Sequence, residues 1–150
     1  MKAVVSALVP QDEARWRELW QSYLTWYRSG TLPADITDHL WRTVLAGNGP
    51  MYGLGARVAD KLVGFTNFTF HASSWTKGEY CYLEDLYVDK TTRGSGAGRE
   101  LIQAVRDKAK GRNASRLYWH TEVGNETARR LYDTLATEAG FVQYRMPLVD

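Results

Sequence analysis

The chain is 150 residues long, one domain's length and enough to bury a core. Its net charge is +2, from 19 Lys and Arg against 17 Asp and Glu, and no stretch interleaves clustered Lys/Arg with aromatics on one face, so nucleic acid is not expected as a partner. The single cysteine, Cys81, excludes an intrachain disulfide; the three histidines show no metal-site spacing, and no run has the length of a membrane span. A cytoplasmic protein that uses neither metal nor membrane is expected.

In chain order, residues 3–9 read as a first strand ending at Pro10. From Gln11 to Ser29 the residues Trp16, Leu19, Trp20, Tyr23, Leu24 and Tyr27 recur at helical spacing, with Gly30 as a stop. Asp35 to Ala46 reads as a shorter helix with Ile36, Leu40, Val44 and Leu45 on one side and Gly47 at its end. Two runs, Tyr52–Val58 and Leu62–Phe70, joined by Ala59-Asp60-Lys61, alternate as an antiparallel hairpin should. After the polar loop 71–78, the strand Glu79–Val88 continues the meander.

The helix predicted over Arg99–Lys110 turns Leu101, Ile102, Val105 and Ala109 inward. A strand over Arg116–Glu122, a helix from about Asn125 to Leu135 and a closing strand over Phe141–Val149 complete the series. The order β-α-α-β-β-β-α-β-α-β is that of a single α/β domain, a mixed and mostly antiparallel sheet flanked by four helices.

Residues 84–98 carry the strongest functional signal. The strand Tyr80–Val88 leads through a short polar turn into Arg93-Gly94-Ser95-Gly96-Ala97-Gly98, and a helix follows at once. Glycines remove side chains where an anion must approach the backbone, and the first helical turn offers unpaired N–H donors at the positive end of its dipole. Arg93 adds a guanidinium suited to phosphate. The plain alternative is a glycine-rich turn with no ligand.

Two phosphate loops fail on spacing. A nucleotide P-loop needs Gly-Lys followed by Ser or Thr, but Arg99 and Glu100 follow Gly98. A dinucleotide fingerprint counted from Gly94 and Gly96 puts Arg99 in its third glycine slot, and the strand Arg116-Leu117-Tyr118-Trp119-His120 lacks the ribose-binding acid.

The spacing Arg-x-x-Gly-x-Gly resembles the acetyl-CoA pyrophosphate loop of the GNAT (GCN5-related N-acetyltransferase) superfamily. Asp85-Leu86-Tyr87-Val88 looks like that family's preceding strand, Gly98–Lys110 like its cofactor-binding helix, and Asn125-Glu126-Thr127-Ala128-Arg129-Arg130-Leu131-Tyr132 like its next signature. The ordered set implies the GNAT fold and acetyl-CoA as acetyl donor. It further implies that main-chain atoms of Leu86, Tyr87 and Val88 bind the pantetheine arm and thioester where this strand splays from its neighbour. Arg93, Gly94, Ser95, Gly96, Ala97, Gly98 and Arg99 would hold the pyrophosphate. Asn125 would lie near the pantetheine and also cap its helix. One departure is that Gly140-Phe141 follows Tyr132 later than in the family, with Ala136–Ala139 reading as an insertion.

Acetyl transfer from a thioester to an amine has three requirements. An alkylammonium with a pKa near ~10.4 must lose a proton, the developing oxyanion needs donors, and the departing thiolate benefits from a proton. Strict period-2 alternation places Tyr80, Tyr82, Glu84, Leu86 and Val88 on one face and Cys81, Leu83, Asp85 and Tyr87 on the other. Glu84 is thereby expected to be buried among aromatics and to accept the proton, directly or through water. An edge carboxylate paired with a lysine is its alternative, and Asp85 stands as a second acid or substrate contact. The resemblance makes Tyr132 the proton donor to the sulfur.

Tyr82-Leu83-Glu84-Asp85 resembles the diamine and thialysine acetyltransferases, and other segments resemble a yeast histone and polyamine branch. Both imply a cationic primary amine such as a polyamine, thialysine or a lysine analogue. Glu84, Asp85 and Glu122 could attract its ammonium, and Trp26, Tyr27 and Trp75 could offer π faces. A protein-lysine acetyltransferase and a non-catalytic CoA-binding module are the competing readings. The resemblance also implies a homodimer.

Overall fold

Two tryptophans one helical turn apart, Trp16 and Trp20, and a third on the next helix, Trp41, organise the first part of the chain. The computed structural model describes residues 2–28 and 30–149, which form two compact units, Met1–His120 and Thr121–Asp150. In the first unit run β1 (Val4–Ala7), α1 (Glu13–Arg28), α2 (Ala34–Ala46), β2 (Met51–Val58), β3 (Lys61–Ala72), β4 (Glu79–Val88), α3 (Ala97–Gly111) and β5 (Arg116–Tyr118). The second unit holds α4 (Glu126–Asp133). Ser29, the expected end of the first helix, lies outside the described residues.

The sheet has the order β1-β2-β3-β4-β5, antiparallel except where the α3 crossover brings β5 parallel to β4. Trp16, Leu19, Trp20 and Leu24 of α1 pack with Trp41 and Val44 of α2 onto Leu62, Phe65 and Tyr87 of the sheet. Trp16 is fully buried, its ring 5.0 Å from Trp41 and stacked 5.8 Å from Trp20. Most of the unusual aromatic content is therefore core, where each ring brings large apolar area and shaped contacts. Leu101, Ile102, Val105 and Ala109 of α3 are buried as their spacing predicts, against a sheet face that also buries Leu54, Ala56, Phe68, Cys81 and Leu83. The β2–β3 loop is two residues, Ala59 and Asp60, both at positive φ, the geometry that matches strand twist in a tight hairpin.

A fork fastens the start of α1 to the sheet. Arg57 Nη1 and Nη2 donate to the two Asp12 carboxylate oxygens at 2.7 Å each, Arg57 Nε donates to Ser6 Oγ at 2.9 Å, and Val9 N–H donates to Asp12 Oδ2 at 2.8 Å. The hydrogen bonds from Arg57 hold the Asp12 carboxyl below the ordinary carboxylate range. A group depressed in the fold contributes stability at pH above its unfolded value and loses it as pH falls through its folded value. Asp12→Ala is expected to lower the unfolding free energy by about 2 kcal/mol, read as a urea midpoint at neutral pH. The gap between variant and wild type should narrow below about pH 4.

Three expectations on elements are corrected. The strand expected over Arg116–Glu122 ends at Tyr118, so Glu122 is off the sheet, in the turn where Asn125 N–H donates to its carbonyl. The helix expected to reach Leu135 stops at Asp133, where Thr134 and Leu135 N–H tighten to i→i−3 bonds with the Leu131 and Tyr132 carbonyls. The closing strand over Phe141–Val149 does not form. Alternation says which faces a strand would show, but a strand exists only where a ladder satisfies its N–H and C=O groups. Among the described residues of the second unit none offers that ladder, and Pro147 lacks a donor.

Candidate active site

The site grows from one extra residue in β4. The β3–β4 register runs Thr69↔Tyr82, Phe68↔Leu83, then Asn67↔Asp85, so Glu84 is opposed by no residue and forms a β-bulge. Bulges re-aim the side chains that follow them. Paired residues share a face: Cys81 pairs with Phe70 and Leu83 with Phe68, whereas Asp85 pairs with Asn67 and Tyr87 with Phe65. Phe65 and Tyr87 belong to the α1–α2 core, so Asp85 faces α1. Strict alternation is thereby overturned: Asp85 and Tyr87 share the face of Tyr80 and Tyr82, and Cys81 and Leu83 have the other.

Burial is exchanged with that switch. Glu84, expected to be the buried acid, is exposed. Asp85 is the carboxylate in the seam, where Tyr23 Oη donates to Oδ1 at 2.7 Å and Asn67 Nδ2 donates to Oδ2 at 3.0 Å. Burial pushes the Asp85 carboxyl above its ordinary value, and these two donors only partly offset it. Burial and the adjacent carboxylate push the Tyr23 hydroxyl far up, so it stays a donor at every working pH. Asn67 Oδ1 is buried without a hydrogen-bond partner. Tyr23 was missed from the sequence; it lies on the apolar stripe of α1 and reads there as core.

Next to this acid the sheet opens. The β4–β5 ladder covers only Tyr80↔Arg116, Cys81↔Leu117 and Tyr82↔Tyr118, so within this unit β4 runs on from Leu83 to Val88 beyond it. Leu86, Tyr87 and Val88 lie in that unladdered stretch. Asp89 caps the following 3-10 turn, accepting from Thr91 N–H at 3.0 Å, and pairs with Arg15 Nη2 of α1.

The glycine loop comes next. Gly94 and Gly96 have φ of +96° and +81°, and a Cβ on either would meet nothing within 4 Å. The positive φ calls for glycine, and the space beside each backbone is open. Gly96 sits at the N-terminus of α3, where Ala97, Gly98 and Arg99 begin the helix and leave first-turn donors for a ligand. Arg93 is exposed, and Ser95 Oγ is a buried hydroxyl without a partner. The loop fits an extended anionic donor.

The remaining residues divide. Asn125 caps α4, its Oδ1 accepting from Ala128 N–H at 3.3 Å, and Tyr132 lies half-buried in the last turn of that helix. Trp26 is 54% exposed, but the Lys90 ammonium lies over its ring, 4.8 Å from the centroid. Tyr27 packs on Tyr23 with ring centroids 4.9 Å apart. Trp75 is 85% exposed in the β3–β4 loop, beyond the strand end remote from the bulge. Another set of rings lies along β4 and β5, on the sheet face that carries Asp85. Tyr82 and Tyr118 are 4.9 Å apart, Tyr82 Oη lies 3.2 Å from His120 Nδ1, and Tyr118 Oη lies 2.6 Å from His71 Nε2. Alternation pairs Tyr80 with Tyr82, but only the sheet register brings Tyr118, His120 and His71 beside them.

Cys81 is fully buried, and burial pushes its thiol up to about 11. Thiolate is scarce at neutral pH, which argues against a covalent acetyl-cysteine.

A glycine loop at a helix N-terminus and a carboxylate held in the seam beside it are arranged as a two-substrate group transferase would need. A family model described as the Acetyltransferase (GNAT) family matches residues 13–136, and the chain belongs to that family of N-acetyltransferases. It is 29% identical over 146 residues to the D-amino-acid N-acetyltransferase HPA3 of Saccharomyces cerevisiae, covering 96% of this chain and 90% of that one. It is 30% identical to the thialysine N-epsilon-acetyltransferase of Caenorhabditis elegans over 66% of this chain and 64% of the relative. Among solved structures, a ribosomal-protein-alanine N-acetyltransferase from Brucella melitensis biovar Abortus 2308 superposes with a TM-score of 0.80 at 26% identity, covering 99% and 100% of the two chains. An aminoglycoside acetyltransferase from a soil metagenomic sample shares the fold at 18% identity, with a TM-score of 0.80 and coverage of 98% and 97%. Members of the family use acetyl-CoA as donor.

Proposed function

We propose that the chain acts as one catalytic domain and transfers acetyl directly from acetyl-CoA to a primary amine on a small cationic molecule, such as thialysine, a lysine analogue or a polyamine. The observation that carries this reading is the bulge at Glu84. It sets a buried acid, Asp85, where the β4–β5 ladder has ended and just before the glycine loop. Asp85 takes the proton from the substrate ammonium, and burial makes it a stronger base than an ordinary carboxylate. The exposed Glu84 carboxylate draws the cation in. The freed lone pair attacks the thioester carbonyl carbon; the C–N bond forms, the C–S bond breaks, and Tyr132 supplies the proton to the departing sulfur, giving amide and free thiol. Backbone N–H groups of the Leu86–Val88 segment receive the developing oxyanion, and Arg93–Arg99 hold the donor's phosphates, with Asn125 at its pantetheine arm.

The relatives named for thialysine and D-amino acids support an amino-acid acceptor, and the Spermidine/spermine N(1)-acetyltransferase-like protein 1 of Homo sapiens, 29% identical over 66% of this chain, supports a polyamine. A protein acceptor has support from the ribosomal-protein-alanine enzyme, although its name points to an alanine amine and not to a lysine side chain. A homodimer is supported by the apolar side chains of Phe141, Tyr144 and Leu148, each about nine-tenths exposed in the single chain. A single cysteine with no disulfide suits the cytoplasm.

The test is release of free thiol from acetyl-CoA with a panel of diamines, amino acids, aminoglycosides and lysine peptides. A small amine giving the highest kcat/KM is expected; no release above background with any of them ends the enzyme reading. Gly96→Val, which forces a branched side chain into positive φ at about 1–2 kcal/mol, should raise KM for acetyl-CoA roughly tenfold. An unchanged KM would remove the loop from the donor site.

A further inference from the structure

The face of the sheet on the N-terminal side of the bulge forms a floor of rings with opposite charges at its two ends. Since the donor is held C-terminal to Leu86, the acceptor amine must reach Asp85 from the other direction, over the N-terminal half of β4. There Tyr80 and Tyr82 stand side by side with Tyr118 from β5, ringed by His71 and His120. Arg116, the register partner of Tyr80, lays its guanidinium 4.2 Å from the centroid of that ring. Among the described residues Arg116 is exposed and forms no ion pair, in contrast to Arg112, which is engaged by Glu79. One end of the floor thus carries two carboxylates, Glu84 and Asp85, and the other an uncommitted guanidinium.

We propose that Arg116 reads a carboxylate on the acceptor, so that the site selects an amine whose far end is anionic over one whose far end is cationic. The inference rests on the acetyltransferase reading and names its acceptor class as a long ω-amino acid of the lysine type. Length decides between this and an acid with adjacent groups. Asp85 and Tyr80 are opposed by Asn67 and His71, four strand steps apart on β3, roughly 13 Å at about 3.3 Å per residue. Allowing about 2.8 Å for a charge-assisted hydrogen bond at each end leaves roughly 7 Å. A chain of four or five methylenes between ammonium and carboxylate spans about 7 Å with ordinary bond lengths, whereas an α-amino acid offers its two charges almost together. The methylenes lie on the tyrosine faces, where apolar area is removed from water. A diamine of equal length presents an ammonium to Arg116 and is repelled. The plain alternative is that Arg116 is a charged residue blunting an edge strand.

The experiment compares kcat/KM for 6-aminohexanoate, hexylamine and 1,6-diaminohexane with the wild-type chain and with Arg116→Gln, Arg116→Lys and Arg116→Glu. The wild type should prefer 6-aminohexanoate over the diamine at least tenfold. In R116Q that ratio should fall towards one through KM for the carboxylate acceptor rather than through kcat; R116K should keep part of the preference, and R116E should reverse it. Calorimetric titration with the N-acetylated product of 6-aminohexanoate should show the same loss of affinity in R116Q without turnover. A wild type that favours the diamine, or a preference that survives R116Q, overturns the role of Arg116 while leaving acetyl transfer intact. Absence of thiol release with every amine would instead sink the function on which the inference rests.

Discussion

Replacing Asp85 by asparagine is expected to lower kcat/KM for amine acetylation about 10²–10³-fold, the usual contribution of a positioned proton acceptor. The shape of the side chain is kept, and the acceptor oxygen that remains can still receive from Tyr23 or Asn67, so a loss of rate reports chemistry rather than packing. Glu84→Gln should cost far less in kcat and act mainly on KM for cationic acceptors, because the exposed carboxylate attracts and does not exchange the proton. The reverse ranking, with Glu84→Gln the severe variant, would return the proton to Glu84.

Stability separates a chemical from a structural role for Asp85. Its carboxyl is raised in the fold by burial, so the folded chain holds the proton to higher pH than the unfolded one. A raised carboxyl makes stability fall as pH climbs past the ordinary carboxylate value. Asp85→Asn removes that slope. At pH 8 its urea midpoint should equal or exceed that of the wild type. A midpoint well below wild type would mark Asp85 as structural.

Tyr132→Phe carries the second large expectation, a fall in kcat of about 10²–10³ with KM for the amine little changed. A general acid must be protonated, so wild-type kcat should decline as pH rises through the tyrosine's pKa, and the variant should lack that limb. Retention of full rate across the pH range would remove Tyr132 from the mechanism. It occupies the last turn of an eight-residue helix whose N-terminus Asn125 caps. Loss of Asn125 should therefore mimic part of the Tyr132 defect, whereas Arg129, whose guanidinium is engaged with the Val123 carbonyl and Glu138, offers a control on the same helix.

How much of this was legible in the sequence depends on the range of the interactions involved. The helices α1, α2 and α3 and the strands β2, β3 and β4 follow from local periodicity and from glycine stops, which short-range sterics enforce. The glycine loop was legible because backbone conformation itself demands glycine at Gly94 and Gly96. The bulge was not. An extra residue in a ladder is a relation between two strands, and nothing in Tyr82-Leu83-Glu84-Asp85 announces that Asn67 pairs with Asp85. That single shift moved the buried carboxylate by one residue and brought Tyr23, which reads as core on an apolar stripe, onto the acid.

The same limit explains the aromatic residues. Residue type alone points to Trp26, Tyr27 and Trp75, whereas Tyr80, Tyr82 and Tyr118 are gathered on one face only by the parallel β4–β5 register. The C-terminal run Phe141–Val149 alternates in hydropathy yet finds no ladder in its unit, since pattern supplies faces but not partners.

Direct acetyl transfer to an amine at the bulge is tested most directly by initial velocities at varied acetyl-CoA and varied 6-aminohexanoate, with mass spectrometry of both product and protein. Intersecting lines, an amine product one acetyl group heavier and an unmodified Cys81 are predicted. Parallel lines together with an acetylated protein intermediate would contradict it.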